Sequence, residues 1–190
     1  MLHIPPNSKT TAFIVGIDPG SEMLGVSVFE FDIRTMAIVR CTAKTLQGSK
    51  LMRKHTLDID LHGERQARVK ALKEALIEIL LEYEPIQIAV ESPFFSARRP
   101  SAYGVLMEVL IAVKEAVYFY NSWRVVYLID PPTVKKAVGA PGNADKDKVK
   151  AAIMLLLDLH YEGETPLELL DEHSLDSLAV GYCRIKELAV

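Results

Sequence analysis

A chain of 190 residues, 49% of them hydrophobic, has the length and composition of one domain with a substantial core. Its net charge of −3 excludes bulk electrostatics as a basis for nucleic-acid binding, so any phosphate-binding surface must come from local clustering. No apolar run reaches the roughly 18 residues that span a bilayer. The N-terminus lacks a secretory pattern, and Cys41 and Cys183 show neither zinc nor disulfide spacing, so the expectation is a cytoplasmic protein with two buried thiols and no membrane contact.

Residues 1–10 read as a polar lead-in. Three strands follow at 12–18, 24–31 and 36–44, rich in Val, Ile, Phe and Thr, with a turn at 32–35 between the second and third. The first strand is apolar until its last residue, Asp18, and runs into Pro19-Gly20-Ser21. A carboxylate there is costly without a ligand. A divalent cation is the simplest ligand, and Gly20 and Gly25 would let a ligand's phosphate approach the backbone.

Residues 45–63 show no clean period and carry Lys50, Arg53, Lys54, His55 and His62, which reads as a mobile, partly basic connection. A helix is predicted over 64–83, with Leu72, Ala75, Leu76, Ile79 and Leu80 on one face and Pro85 as its stop. Residues 86–91 form a fourth strand, apolar until Glu91. The loop at 92–100 is bracketed by Pro93 and Pro100 and holds Phe94, Phe95, Arg98 and Arg99. A helix over 100–120 is apolar nearly all round, so it is buried on more than one side, as in a dimer interface. A fifth strand at 124–130, a short helix after Pro131-Pro132-Thr133, and helices over 145–159 and 172–188 complete the chain. The order implies a mixed five-stranded α/β sheet flanked by helices, in a single domain with mobile loops at 45–63 and 92–100.

Two strands thus end in acid, Asp18 and Glu91, and open α/β sheets build their sites at strand carboxyl ends. The last helix adds His173 and Asp176, three residues apart and on one face. Four such ligands suit magnesium or manganese. Asp130 also ends a strand, but the two prolines after it mark it as a helix cap.

These residues resemble a family. Ile14-Val15-Gly16-Ile17-Asp18-Pro19-Gly20-Ser21 with Gly25, Ile88-Ala89-Val90-Glu91 with Phe94 and Phe95, and His173-Ser174-Leu175-Asp176-Ser177-Leu178-Ala179 resemble the three acidic motifs of RuvC-type Holliday junction resolvases. Thr133-Val134-Lys135-Lys136 and Asp145-Lys146-Asp147-Lys148 resemble the family's basic DNA-contacting segment. The resemblance runs from about residue 12 to 188, and the short basic complement is similar to phage-type members. It implies a ribonuclease H-like fold, a homodimer, and magnesium-dependent paired nicking of four-way DNA junctions. Carried over by position, Asp18, Glu91, His173 and Asp176 would be catalytic metal ligands. Asp18 would be shared between two ions, and manganese would substitute for magnesium. His173 stands where many members have aspartate, and would ligate a metal or relay a proton. A neutral imidazole is needed for ligation, so activity is expected to fall below about pH 6.5.

DNA contacts are expected from Phe94, Phe95, Arg98, Arg99, Lys135, Lys136, Lys146 and Lys148, with Lys50, Arg53 and Lys54 as a further cluster. The rival readings are a ribonuclease H-like nuclease acting on RNA, flaps or other branched DNA, an actin-like ATP-binding domain, and a silent junction binder. The ATP-binding domain would need a second glycine-rich phosphate loop. Only Gly139-Ala140-Pro141-Gly142 is on offer, and it lacks that pattern.

Overall fold

In a computed structural model, residues 10–93 and 100–189 are described. The first nine residues, Phe94, Phe95, Arg98 and Arg99 lie outside the described residues. The strands are β1 (Thr11–Asp18), β2 (Met23–Asp32), β3 (Ile38–Gln47), β4 (Gln87–Glu91) and β5 (Val126–Ile129). They form one sheet in the order β3-β2-β1-β4-β5. The first three make the antiparallel meander, and β1–β4 and β4–β5 are parallel, as crossover helices require. The mixed five-stranded sheet expected from the sequence is therefore present.

The helices are α1 (Gly48–Leu51), α2 (Thr56–His62), α3 (Glu64–Tyr83), α4 (Pro100–Tyr120), α5 (Pro131–Ala137), α6 (Lys146–Met154) and α7 (Glu172–Leu188). Strand alternation sorts side chains to two faces. Val15, Ile17, Val26, Ile88 and Val90 pack under α3 and α4. Ile14, Phe29, Ala89 and Ile129 pack under α5, α6 and α7. Both faces of β1 and β4 are buried, which is why these strands read as continuous apolar runs. Helix α3 keeps the predicted bounds, and Glu84 ends it in the left-handed conformation one residue before Pro85.

One expectation fails. Residues 48–62 are not an irregular connection but α1, a 3₁₀ turn at Met52–Lys54, and α2. Each piece is too short to show a helical period, and each is held by tertiary contacts. The Gly48 N–H donates to the Glu22 carbonyl (2.8 Å), and Lys70 reaches Asp58 at 2.7 Å. Helix α6 also stops at Met154, five residues earlier than its apolar pattern suggests, leaving Leu155 and Leu157 exposed.

Helix α7 lies unusually close to the sheet. A Cβ on Gly16 of β1 would stand 2.5 Å from the Gly181 nitrogen and the Ser177 carbonyl oxygen. Small side chains line the rest of the contact. The Ser27 hydroxyl donates to the Ser177 carbonyl (2.6 Å), and the Ser177 hydroxyl to the Ser174 carbonyl (2.8 Å). The obstructing atoms at Gly16 are backbone and cannot rotate away. Gly16→Ala should therefore cost about 1–3 kcal/mol, seen as a fall of roughly 2–10 °C in Tm. An unchanged thermal transition would mean that α7 can back off freely.

Candidate active site

The acids are assembled by strand register. Ile17 pairs with Val90, so Asp18 and Glu91 end neighbouring parallel strands side by side. Alternation puts both on the α7 face, with Gly16 and Ala89. Across the other neighbour, Asp18 pairs with Gly25, and Gly25 pairs with Thr45. This row seats the start of α7. Asp171 caps the helix by accepting the Ser174 N–H (2.8 Å), and the Thr45 hydroxyl donates to Asp171 (2.6 Å). A Cβ on Gly25 would lie 2.0 Å from the His173 carbonyl oxygen and 3.3 Å from the Asp18 Cβ. Gly25 thus makes room for the helix backbone. Gly20 meets the Met23 carbonyl of its own turn in the same way. Both glycines are therefore required by packing within the chain, a reason the sequence reading did not give.

With α7 so placed, His173 Nδ1 is 2.7 Å from Asp18 Oδ2. Asp18 is buried, at 9% exposure. Glu91 and Asp176 are partly buried and close enough to repel Asp18. Burial first, then the charges of Asp18 and Asp176, pushes the Glu91 carboxyl up to about 8. Burial and Asp18 push Asp176 up to about 6. The hydrogen bond to Asp18 raises His173 above the ordinary imidazole value of 6.5.

Lys135 and Lys146 both favour the charged form of Glu91, which places these two lysines toward the acids. Lys146 also pairs with Glu172, and Lys135 donates to the Ala144 carbonyl (2.7 Å). Lys148 pairs instead with Asp145 at 3.1 Å, and Lys136 is exposed beside Asp130. Asp130 caps α5 through Thr133, as expected, and takes no part in the site. The sequence reading missed Thr45, Asp171 and Glu172. Asp171 alone carried a legible signal, an aspartate directly before an amphipathic helix.

Among the described residues, no three acidic, histidine or cysteine side chains stand close enough to cage an ion as they are placed. The donor chemistry nevertheless fits a hard divalent cation. Three carboxylates converge on one sheet end, two held partly protonated by burial and mutual repulsion, and an oxygen-liganded cation relieves both. A groove of about 1260 Å³ lies elsewhere, between α3 and α4, and is lined by Ile77, Ile111, Tyr118 and Phe119.

The family model described as crossover junction endodeoxyribonuclease RuvC matches residues 14–184. The RuvC of Desulforamulus reducens is 31% identical over 170 residues, covering 90% of this chain and 91% of that one. The structure of Thermus thermophilus RuvC superposes with a TM-score of 0.63 at 24% identity, covering 90% of this chain and 92% of that one. Its complex with a Holliday junction substrate gives 0.60 at 22% identity, covering 90% and 91%. At these identities the structural likeness speaks for the fold.

The crowding has a consequence for stability. A carboxyl raised in the folded state contributes stability that is complete below its unfolded value, near 4.5 for Glu91, and is lost as pH rises through about 8. In chelator at pH 8, Glu91→Gln should therefore melt higher than the parent by roughly 3–8 °C. Added magnesium or manganese should raise the parent's Tm and leave the variant nearly unmoved. A parent that melts at or above the variant in chelator would contradict the crowding.

Proposed function

The chain belongs to the RuvC family of crossover junction endodeoxyribonucleases, and on that premise we propose that it resolves four-way DNA junctions by paired, divalent-metal-dependent nicks. The single observation that carries the reading is the convergence of Asp18, Glu91 and Asp176 under the first turn of α7, with His173 bonded to Asp18. The proposed cofactor is magnesium, replaceable by manganese, with two ions held by Asp18, Glu91 and Asp176. Bound there, the cations would neutralise the scissile phosphate and lower the pKa of a bound water.

The chain's own residues have distinct work. Asp18, at the centre of the group, is held in orientation by the His173 Nδ1 hydrogen bond. His173 keeps its Nε2 directed away from Asp18, 3.7 Å from Glu172, where it can hold or pass a proton. With Nδ1 engaged by Asp18, Nε2 is the nitrogen left to ligate a metal or to relay a proton. Lys135 and Lys146 carry positive charge beside the acids and are proposed to meet the phosphates flanking the cut. Lys136 and Lys148 are proposed to act farther along the same backbone. Phe94, Phe95, Arg98 and Arg99 directly follow β4 in sequence, and we propose that they engage the opened junction centre.

Paired nicks need two active sites, and we propose a homodimer. Helix α4 buries Val109, Leu110, Val113, Ala116 and Val117 against the sheet and leaves Ile111, Tyr118 and Phe119 at 53%, 72% and 70% exposure. This outward apolar side, beside the α3–α4 groove, is the face offered to the second copy.

The direct test is a labelled four-way junction and its matched linear duplex, with and without magnesium. Symmetric nicks on the junction, reduced at least about 1,000-fold in Asp18→Asn while junction binding survives, are expected. Cutting of plain duplex, flaps or RNA hybrids at equal rates would move the protein to the broader nuclease class. Because Asp176 and Glu91 must give up protons to hold metal, the nicking rate at subsaturating magnesium should climb between pH 6 and about 8. Excess magnesium should move that limb to lower pH. A flat profile would show that the acids are ionised before metal arrives.

A further inference from the structure

The segment at 48–54 lies beside the acids. Thr45, Gly25 and Asp18 form one row across the sheet, and three residues after Thr45 the chain turns into α1. There it is pinned to the turn that follows Asp18. The Gly48 N–H donates to the Glu22 carbonyl (2.8 Å), the Ser49 N–H to the Glu22 carboxylate (3.2 Å), and Arg68 pairs with that same carboxylate at 3.1 Å. Leu51 packs into the core beneath α3. The backbone here is helical and anchored.

Its charges are uncompensated. Nine Lys and Arg side chains elsewhere pair with carboxylates among the described residues. Lys50, Arg53 and Lys54 are exposed and pair with none. The nearest acid downstream, Asp58, is taken by Lys70 (2.7 Å) and faces His55 (3.4 Å). Asp60 is left as the one unpaired acid of the segment. Three like charges within five residues, on a rigid scaffold beside an anionic-substrate site, repel one another unless an anion lies across them. A pre-ordered cation cluster also loses little conformational freedom on binding.

We propose that Lys50, Arg53 and Lys54 bind the phosphate backbone of a duplex arm next to the cut. This contact is separate from the lysines of α5 and α6, which approach the acids from the α7 face, whereas α1 and α2 pack on the α3 side. The two groups would grip the DNA from opposite faces of the sheet. The proposal rests on the junction-nuclease reading for its substrate, and it adds a surface that the acidic motifs do not contain.

The test is the salt dependence of four-way-junction binding in EDTA, where no cutting occurs. Each phosphate contact contributes about 0.9 to the slope of log affinity against log salt. The triple variant Lys50→Gln, Arg53→Gln, Lys54→Gln should lower that slope by about 2 to 3 and weaken binding roughly 10- to 100-fold near 0.15 M salt. Each single variant should lower it by about 1. Arg34→Gln, an exposed cation in the β2–β3 turn at the far end of the sheet, is the control and should leave the slope unchanged. Unaltered circular dichroism and Tm would establish that the triple variant is folded, and the single variants repeat the test with less perturbation. A triple variant whose slope matches that of Arg34→Gln overturns the proposal. A protein that binds junctions but never nicks them would refute the resolvase reading while leaving this slope measurable, so the two fail separately.

Discussion

The site depends on how closely α7 can approach the sheet. That distance is set by the absence of side-chain atoms at Gly16, Gly25 and Gly181 and by the small hydroxyls of Ser27, Ser174 and Ser177. A Cβ at Gly181 would stand 2.4 Å from the buried Phe29 ring, so the contact is tight from the helix side as well. Because the helix sits down, its first turn comes over the carboxyl ends of β1 and β4, and His173 reaches Asp18. The cap at Asp171 and its tie to Thr45 fix the helix end to β3. Packing on one face of the sheet thus becomes distance control over four polar groups.

Those groups are not at ease as they stand. Two neighbouring parallel strands end in acid, and the helix adds a third carboxylate, all partly or fully withdrawn from water. Withdrawal and repulsion keep protons on Glu91 near neutral pH, and the hydrogen bond to Asp18 raises His173. Such an arrangement lowers the stability of the metal-free fold, and under the proposed function a divalent cation would relieve it. Lys135 and Lys146 offset part of the repulsion from a distance, and a phosphate group could use the same lysines.

Much of this was legible in the chain. The apolar runs that end at Asp18 and Glu91, the long amphipathic α3, and the His173-x-x-Asp176 spacing all express local periodicity, and each stands where the pattern puts it. The exceptions have physical reasons. The 48–62 segment is built from helices of one or two turns, below the length at which a period can appear, and its order comes from Glu22, Arg68 and Lys70. Gly20 and Gly25 looked like room for a ligand, but a sequence cannot tell whether a missing side chain accommodates a ligand or a distant helix. Thr45 and Asp171 meet across 126 residues of chain, a pairing without any local signature. The exposed side of α4 was foreseeable only as an excess of apolar residues, which burial within one copy does not absorb.

The account stands or falls on whether the three carboxylates share bound metal. The most direct measurement is anomalous scattering from a crystal soaked in manganese. Density for manganese in contact with Asp18 and at least one of Glu91 and Asp176, absent from crystals of Asp18→Asn, is the predicted result. Manganese bound elsewhere, or no ordered ion at a concentration that supports nicking, would contradict it.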